Sequence, residues 1–297
     1  MDAYHLSFLL ASIASSTLIA LIFKWFTLNN IKSFQAIVVN YLTCVLLGSL
    51  LMGRSPFQGA FWQEDWFPYS IGLGFLFISG FYAIAKTIEY FGVTVGTVMQ
   101  KMALILTVTF AILYYKESTH WMRITGILIA LAAVVLTNIK ADSEDQDRKR
   151  GFSWLILIPI FVFFDSGSIE IIMQYVKLSL LGDRSELGFT TFLFGTAGVL
   201  GFLFLVGGLM TGQQKLDTKS LLAGVALGIP NFFSIYCLLV ALGSDLDASI
   251  LFTVNNISII GLSVLLAYLL FNERLSRLNI LGVLLAILSI LLILWAG

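Results

Sequence analysis

Apolar residues along this chain run in blocks of 18 to 24 positions, divided by short clusters of polar and charged residues. A block of about 20 apolar residues is long enough to carry a helix across a hydrocarbon core of about 30 Å. The blocks predict ten transmembrane helices, over 4–22, 34–52, 69–90, 94–115, 121–138, 153–176, 188–210, 219–241, 248–271 and 278–296. A barrel is a poor reading, because its strands alternate apolar and polar positions over only about 10 residues. Most connections are short, so successive helices are expected to be antiparallel neighbours. Two are longer. Residues 53–68 hold Phe57, Phe61, Trp62, Trp66 and Phe67 among polar residues, which reads as an interfacial segment with its aromatics at headgroup level. Residues 139–152 form the most charged stretch, at the middle of the chain, and read as a solvated linker.

Composition agrees with the pattern. Of 297 residues, 59% are hydrophobic and 11% charged, against about 25% charged in a soluble domain. The formal net charge is zero, so no bulk electrostatic pull toward nucleic acid exists. Cys44 and Cys237 both lie inside apolar blocks and read as small buried hydrophobes. They imply neither a disulfide framework nor a metal site. His5 and His120 sit near helix ends, outside any metal-binding or catalytic spacing, so no metal and no cofactor are expected. The first apolar block lacks the basic start and small-residue cleavage site of a signal peptide and is read as a retained helix.

The central linker prompts a search for a repeat. Shifting the second half back by 156 residues sets Thr97-Val98 on Thr253-Val254, Ala111 on Ala267, Glu117 on Glu273, Ile124 on Ile280, Gly126 on Gly282 and Ala130 on Ala286. Thirteen positions between 85 and 137 are identical under this one shift, and Glu89 meets Asp245. The chain is therefore read as a first repeat at 1–138, the linker at 139–152 and a second repeat at 153–297. Five helices per repeat is an odd number, so the second must enter the membrane from the opposite side. The expected fold class is an all-α integral membrane protein of ten transmembrane helices arranged as two inverted five-helix repeats, a plan common among secondary transporters.

Polar groups inside the blocks are the candidate chemistry. An ionisable side chain at helix centre costs about 2.5–3.5 kcal/mol on insertion scales, so it needs a partner, a water-filled cavity or a protonation change. Asp165 stands about twelve residues into its span, close to the midplane at a rise of 1.5 Å per residue. Ser15, Ser16, Asn231, Asn255 and Asn256 fall at similar depth, and Pro230 frees a backbone carbonyl beside Asn231. Midplane polar groups of this kind bind solutes in transporters, or else join helices by hydrogen bonds. Lys101, beside Gln100, is a cation that either faces a cavity or sits in a structural ion pair. Asp165 is one candidate partner for it, and Glu89 with Lys86 near the end of the third helix offers another. Glu170 shares a helix face with Gln174 and Lys177 and is expected to snorkel or pair toward the far interface. Glu117 and Glu273 read as helix-end anchors. Gly92 with Gly96, and Gly224 with Gly228, are spaced to let helices approach closely.

The five-plus-five plan, with Tyr-Lys-Glu at 115–117 before Gly126 and Phe-Asn-Glu-Arg at 271–274 before Gly282, resembles the EamA-type transporters of the drug/metabolite transporter superfamily. The resemblance covers nearly the whole chain. It implies ten helices around a central cavity, substrates among metabolites, amino acids and drugs, and a multi-pass place in a plasma membrane, here a bacterial inner membrane. The related small multidrug resistance proteins rely on a carboxylate in their first helix, and residues 4–22 contain none. The expected function is a secondary transporter moving a small metabolite, amino-acid-like solute or drug by alternating access. Its partners are a small-molecule substrate, membrane lipids and a coupling ion or proton as a candidate, without nucleic acid; nothing in the sequence sets an oligomeric state. The alternative is a lipid-handling protein or non-transporting scaffold. The chain carries no phosphate-binding loop for ATP and no nucleophile–base set, so an enzyme is not expected. Outside Lys86 and Lys101, ten Lys and Arg lie in the odd-numbered loops and five in the even-numbered ones. Charge thus places both termini outside, whereas the resemblance implies termini in the cytoplasm.

Overall fold

A computed structural model describes residues 1–53, 61–91, 93–117, 120–138, 154–181, 186–212, 214–271 and 276–295. The linker 139–152, Phe57, Glu273, Gly92 and the side chain of Glu89 lie outside the described residues. In lipid every backbone N–H and C=O must find a partner within the protein, and apolar blocks of this length meet that demand as helices. The described residues form α1 (Ala3–Leu28), α2 (Ser33–Met52), α3 (Phe67–Phe91), α4 (Val93–Met102), α5 (Leu104–Tyr114), α6 (Trp121–Asn138), α7 (Leu157–Tyr175), α8 (Glu186–Met210), α9 (Thr218–Ala241), α10 (Ala248–Phe271) and α11 (Arg277–Trp295), and no strand. Eight spans are long and apolar enough to cross a membrane, and the apolar stretches Trp121–Leu136 and Arg277–Ile293 add two shorter ones. The protein is an all-α, multi-pass membrane protein of ten spans.

Local chemistry sets several ends. The Asp2 carboxylate accepts the His5 N–H at 3.0 Å and starts α1, and Asp217 does the same for Ser220 at the start of α9. α2 closes on Gly53 at φ 64°, where its N–H reaches the Leu50 carbonyl.

The span expected at 94–115 is interrupted. α4 ends at Met102, α5 begins at Leu104, and Ala103 sits in a turn whose carbonyl accepts from the Leu106 N–H at 2.9 Å, a tighter three-residue pattern. Neither Gly nor Pro marks the spot, so the apolar pattern runs through it unbroken. The corresponding stretch of the second repeat, α10, is one continuous helix. α7 changes differently, winding into a π-helix over Val176–Leu181.

The chain divides into two compact units: Met1–Ile78 with Ile172–Asp245, and Ser79–Ile171 with Leu246–Gly297. Each draws helices from both repeats. In the first, α9 packs along α1 and α2, and α2 along α8. A Cβ on Gly224 would lie 2.3 Å from the Ala36 carbonyl oxygen, and one on Gly228 2.5 Å from Thr43 Cβ. This spaced pair is what lets α9 close on α2. Gly48 meets Thr191 of α8 in the same way. Trp66, expected at an interface, is 6% exposed and packs against Phe189 and Phe192; Trp62 stays 61% exposed.

In the second unit α6 packs along α11. Ala130, Ala133, Val134, Ile257, Ile260 and Ala286 form one apolar cluster, so the repeat-matched alanines 130 and 286 meet in one core. A Cβ on Gly126 would come within 2.6 Å of Ile293 Cγ1, which explains a glycine at that motif position.

Candidate functional site

The second unit gathers polar side chains from four helices. Lys101 closes the last turn of α4, and Thr107 stands one turn into α5, so both flank the interruption at Ala103. Lys101 Nζ donates to Asn256 Oδ1 at 2.9 Å, and Asn256 Nδ2 donates to Glu170 Oε1 at 3.0 Å. Thr107 Oγ1 donates to Glu170 Oε2 at 2.7 Å. A cation on α4 is thereby linked to a carboxylate on α7 through a carboxamide on α10. Thr107 is fully buried, and Asn256 is 5% exposed. Such a network is worth most where it is fully satisfied, because the low dielectric that strengthens each bond also punishes an unpaired member.

This arrangement corrects two expectations. Lys101 does not pair with Asp165; its hydrogen bond goes to Asn256, which in turn donates to Glu170. Glu170 does not snorkel toward an interface, since Thr107 and Asn256 hold both its oxygens inside. Lys177, spaced to share its face, pairs with Glu186. The physical reason is common to both. A buried charge takes the polar group that packing brings to it, and helical spacing reports only its own helix.

Asp165 is 4% exposed and forms a second polar point in the same unit. Ser79 Oγ donates to it at 3.4 Å, and its carboxylate lies flat against Gly80, where a Cβ would sit 1.9 Å from Oδ2. No cationic side chain pairs with it among the described residues. Lys86 lies over the rings of Tyr82 and Tyr90, with Nζ 6.0 and 5.7 Å from their centroids, a cation–π arrangement within one helix. Asn255 is buried on α10, and Gln100 is half-buried on α4.

The other expected residues belong to the first unit. Asn231 Nδ2 donates to Asn40 Oδ1 at 3.0 Å, and Asn40 is 2% exposed. The Cys44 thiol reaches the Gly228 carbonyl at 3.3 Å close by. Ser15 and Ser16 are half-buried, whereas Ser12, fully buried, ties α1 to the Ser234 carbonyl of α9 at 2.8 Å.

Glu117 of the Tyr-Lys-Glu motif has a more specific place than an anchor. Its Oε1 accepts the Ala248 N–H at 2.9 Å and its Oε2 the Ser249 N–H at 3.3 Å, so it caps α10 from another helix end. Arg123, 3% exposed, donates to Asp247 beside it at 2.5 Å. Burial pushes the Glu117 carboxyl above its ordinary value, and the neighbouring Asp247 charge adds to that, against the lowering effect of its hydrogen bonds.

Thr107, Ser79 and Gly80 carry no signal in the sequence. A threonine within an apolar helix ordinarily returns its hydroxyl to its own backbone, and a glycine at 80 is one of 25.

The comparisons follow this geometry. The EamA-like transporter family matches the chain in two stretches, 3–139 and 152–295, on either side of the charged linker. An uncharacterised protein of Haemophilus influenzae is 27% identical over 289 residues, covering 95% of this chain and 94% of that protein. A crystal structure of a protein at 15% identity covers all of this chain and 98% of its own, with a TM-score of 0.71, and shares the fold. With ten spans, two repeats and a family match over both, the chain belongs to the EamA-like transporter family.

Proposed function

We propose that this protein is a secondary transporter that moves a small amino-acid-like zwitterion by alternating access. The observation that carries the reading is the line from Lys101 through Asn256 to Glu170. The Asn256 carbonyl oxygen faces the cation, and its amide nitrogen faces the carboxylate. A solute with a carboxylate and an ammonium group presents the same two poles with full charges. It can take the place of the Asn256 side chain between Lys101 and Glu170, exchanging hydrogen bonds with one charged partner for ion pairs charged on both sides. Asn255 and Gln100, in the same unit, are assigned to the route by their depth, and the coupling proton or ion to Asp165, a buried carboxylate with one long hydrogen bond. The reading places the chain in a plasma membrane, that of a bacterium, in keeping with a relative from Haemophilus influenzae.

A thermal-shift screen of the purified protein, run at several pH values, tests this. The set holds L-amino acids, their methyl esters as cations and their N-acetyl forms as anions. A ligand at a hundredfold its Kd stabilises by about 2.7 kcal/mol. Zwitterions are expected to raise Tm, the single-charge analogues to do so far less, and Lys101→Met and Glu170→Gln to lose the shift and the flux in liposomes. Folded protein that responds to no zwitterion turns the reading to the lipid-handling or scaffold alternative.

A further inference from the structure

The first unit carries a second set of the same four side-chain types: a lysine, a glutamate, a carboxamide and a threonine. Lys177 of the π-helical turn donates to Glu186 at the start of α8, with side chains 9% and 21% exposed. The end of α9 closes over this pair. A Cβ on Gly243 would lie 3.1 Å from Lys177 Cε and 3.2 Å from its Nζ. Gln174, on α7, stands one turn before Lys177, and Thr190, on α8, one turn after Glu186.

Both residues are fully buried. Among the described residues, Gln174 Nε2, Gln174 Oε1 and Thr190 Oγ1 have no hydrogen-bond partner, and neither does the Ser244 hydroxyl beside Gly243. In the second unit the matching carboxamide, Asn256, is bonded at both ends. A buried donor or acceptor left unmatched costs as much as a hydrogen bond is worth or more, and each of these residues lies within one helical turn along its chain of Lys177, of Glu186 or of the Gly243 that packs on Lys177. With the Lys177–Glu186 pair closed on itself, the unmet capacity is neutral: one N–H donor and one carbonyl acceptor on Gln174, and hydroxyls from Thr190 and Ser244.

We propose that Gln174, Thr190 and Ser244 form a binding site for an uncharged group that carries a donor and an acceptor side by side, a primary carboxamide or a protonated carboxylic acid. Such a group meets the Gln174 amide in a two-bond pair and leaves a further acceptor position for Thr190. The π-helical winding at Val176 supports it, since π-turns inside α-helices concentrate at functional sites. This site does not depend on the transporter reading, because its ligand is neutral and none of its three residues belongs to the Lys101–Glu170 network.

The test is a thermal shift of the full chain in nanodiscs with propionamide, isobutyramide and benzamide, each beside its N,N-dimethyl amide, which lacks the donor. The primary amides are expected to raise Tm saturably and the dimethyl forms not to. Thr190→Val and Gln174→Leu are expected to weaken the apparent affinity about tenfold or more, as for the loss of a buried hydrogen bond. Gln174→Met, of similar length, replaces Gln174→Leu if that variant does not fold. A primary-amide shift unchanged in the variants overturns the proposal. So does a wild type that answers no amide, whether the variants gain stability, which marks unfilled polar atoms, or lose it, which marks water as the only occupant.

Discussion

At the residue scale, the controlling fact is that a buried charge takes the particular neighbour that packing brings to it. Asp165 is the sharpest case, with Ser79 as its donor and Gly80 as its floor. Asp165→Asn keeps the shape and removes the charge. Liposome flux is expected to fall to background while the yield of folded protein is nearly unchanged; a loss of folded protein would make Asp165 structural. Gly80→Ala sets a methyl 1.9 Å from Asp165 Oδ2, and overpacking of this kind costs about 1–3 kcal/mol. Combining it with Asp165→Ala is expected to recover much of the loss, because the two changes share one contact. Tm values of the two single variants and the double variant decide it, and strict additivity would contradict the contact. The charge at 165 was legible in the sequence, since an acid at mid-span is costly wherever it points. Its partners were not, because serine and glycine are ordinary residues of membrane helices.

At the element scale, two features govern: close helix seams and helix ends. The α2–α9 seam rests on Gly224 and Gly228, each with a neighbouring atom where a Cβ would stand. Gly224→Leu is expected to lower Tm more than the same change at Gly207, which has nothing within 4 Å; equal effects would mean that glycine matters here only for lipid-facing shape. The glycine spacing announced this seam correctly, because spacing on one helix sets how near another backbone can come. The α10 cap gives a pH signature. The Glu117 carboxyl is held above its ordinary value of 4.5 by burial first. The folded state therefore binds this proton more tightly than the unfolded chain. That contribution is fully present below the unfolded value and is lost as pH rises through the folded one. Against Glu117→Gln, wild-type Tm is expected to fall progressively as pH is taken from 4 to 7, and parallel curves would refute it. The motif glutamate was visible in the sequence, but the helix it caps was not, since Ala248 is 131 residues away.

At the scale of the whole molecule, ten spans put both termini on one side and the central linker on the other. Cys44 and Cys237 are buried, so single cysteines placed at Ser143 and near residue 1 can be labelled selectively in intact cells and inverted vesicles. The two positions are expected to label from opposite sides. Labelling of both from one side would require an odd number of crossings before the linker to be given up. The same measurement decides between outside termini, which the loop charges favour, and cytoplasmic termini, which the family resemblance implies.

Span number, span limits and the duplication were determined by the sequence alone, because burial in lipid acts on every residue of a span and so leaves a long, redundant trace. The break at Ala103 left none, since no residue type there forbids a helix. The choice of Asn256 and Thr107 as neighbours of Glu170 was likewise made only in the tertiary structure. The helices that carry them are far apart in the chain, and a hydrogen bond across such a distance depends on how whole helices pack. Hydrophobic length is a property of one segment, whereas a polar site is a property of several segments at once.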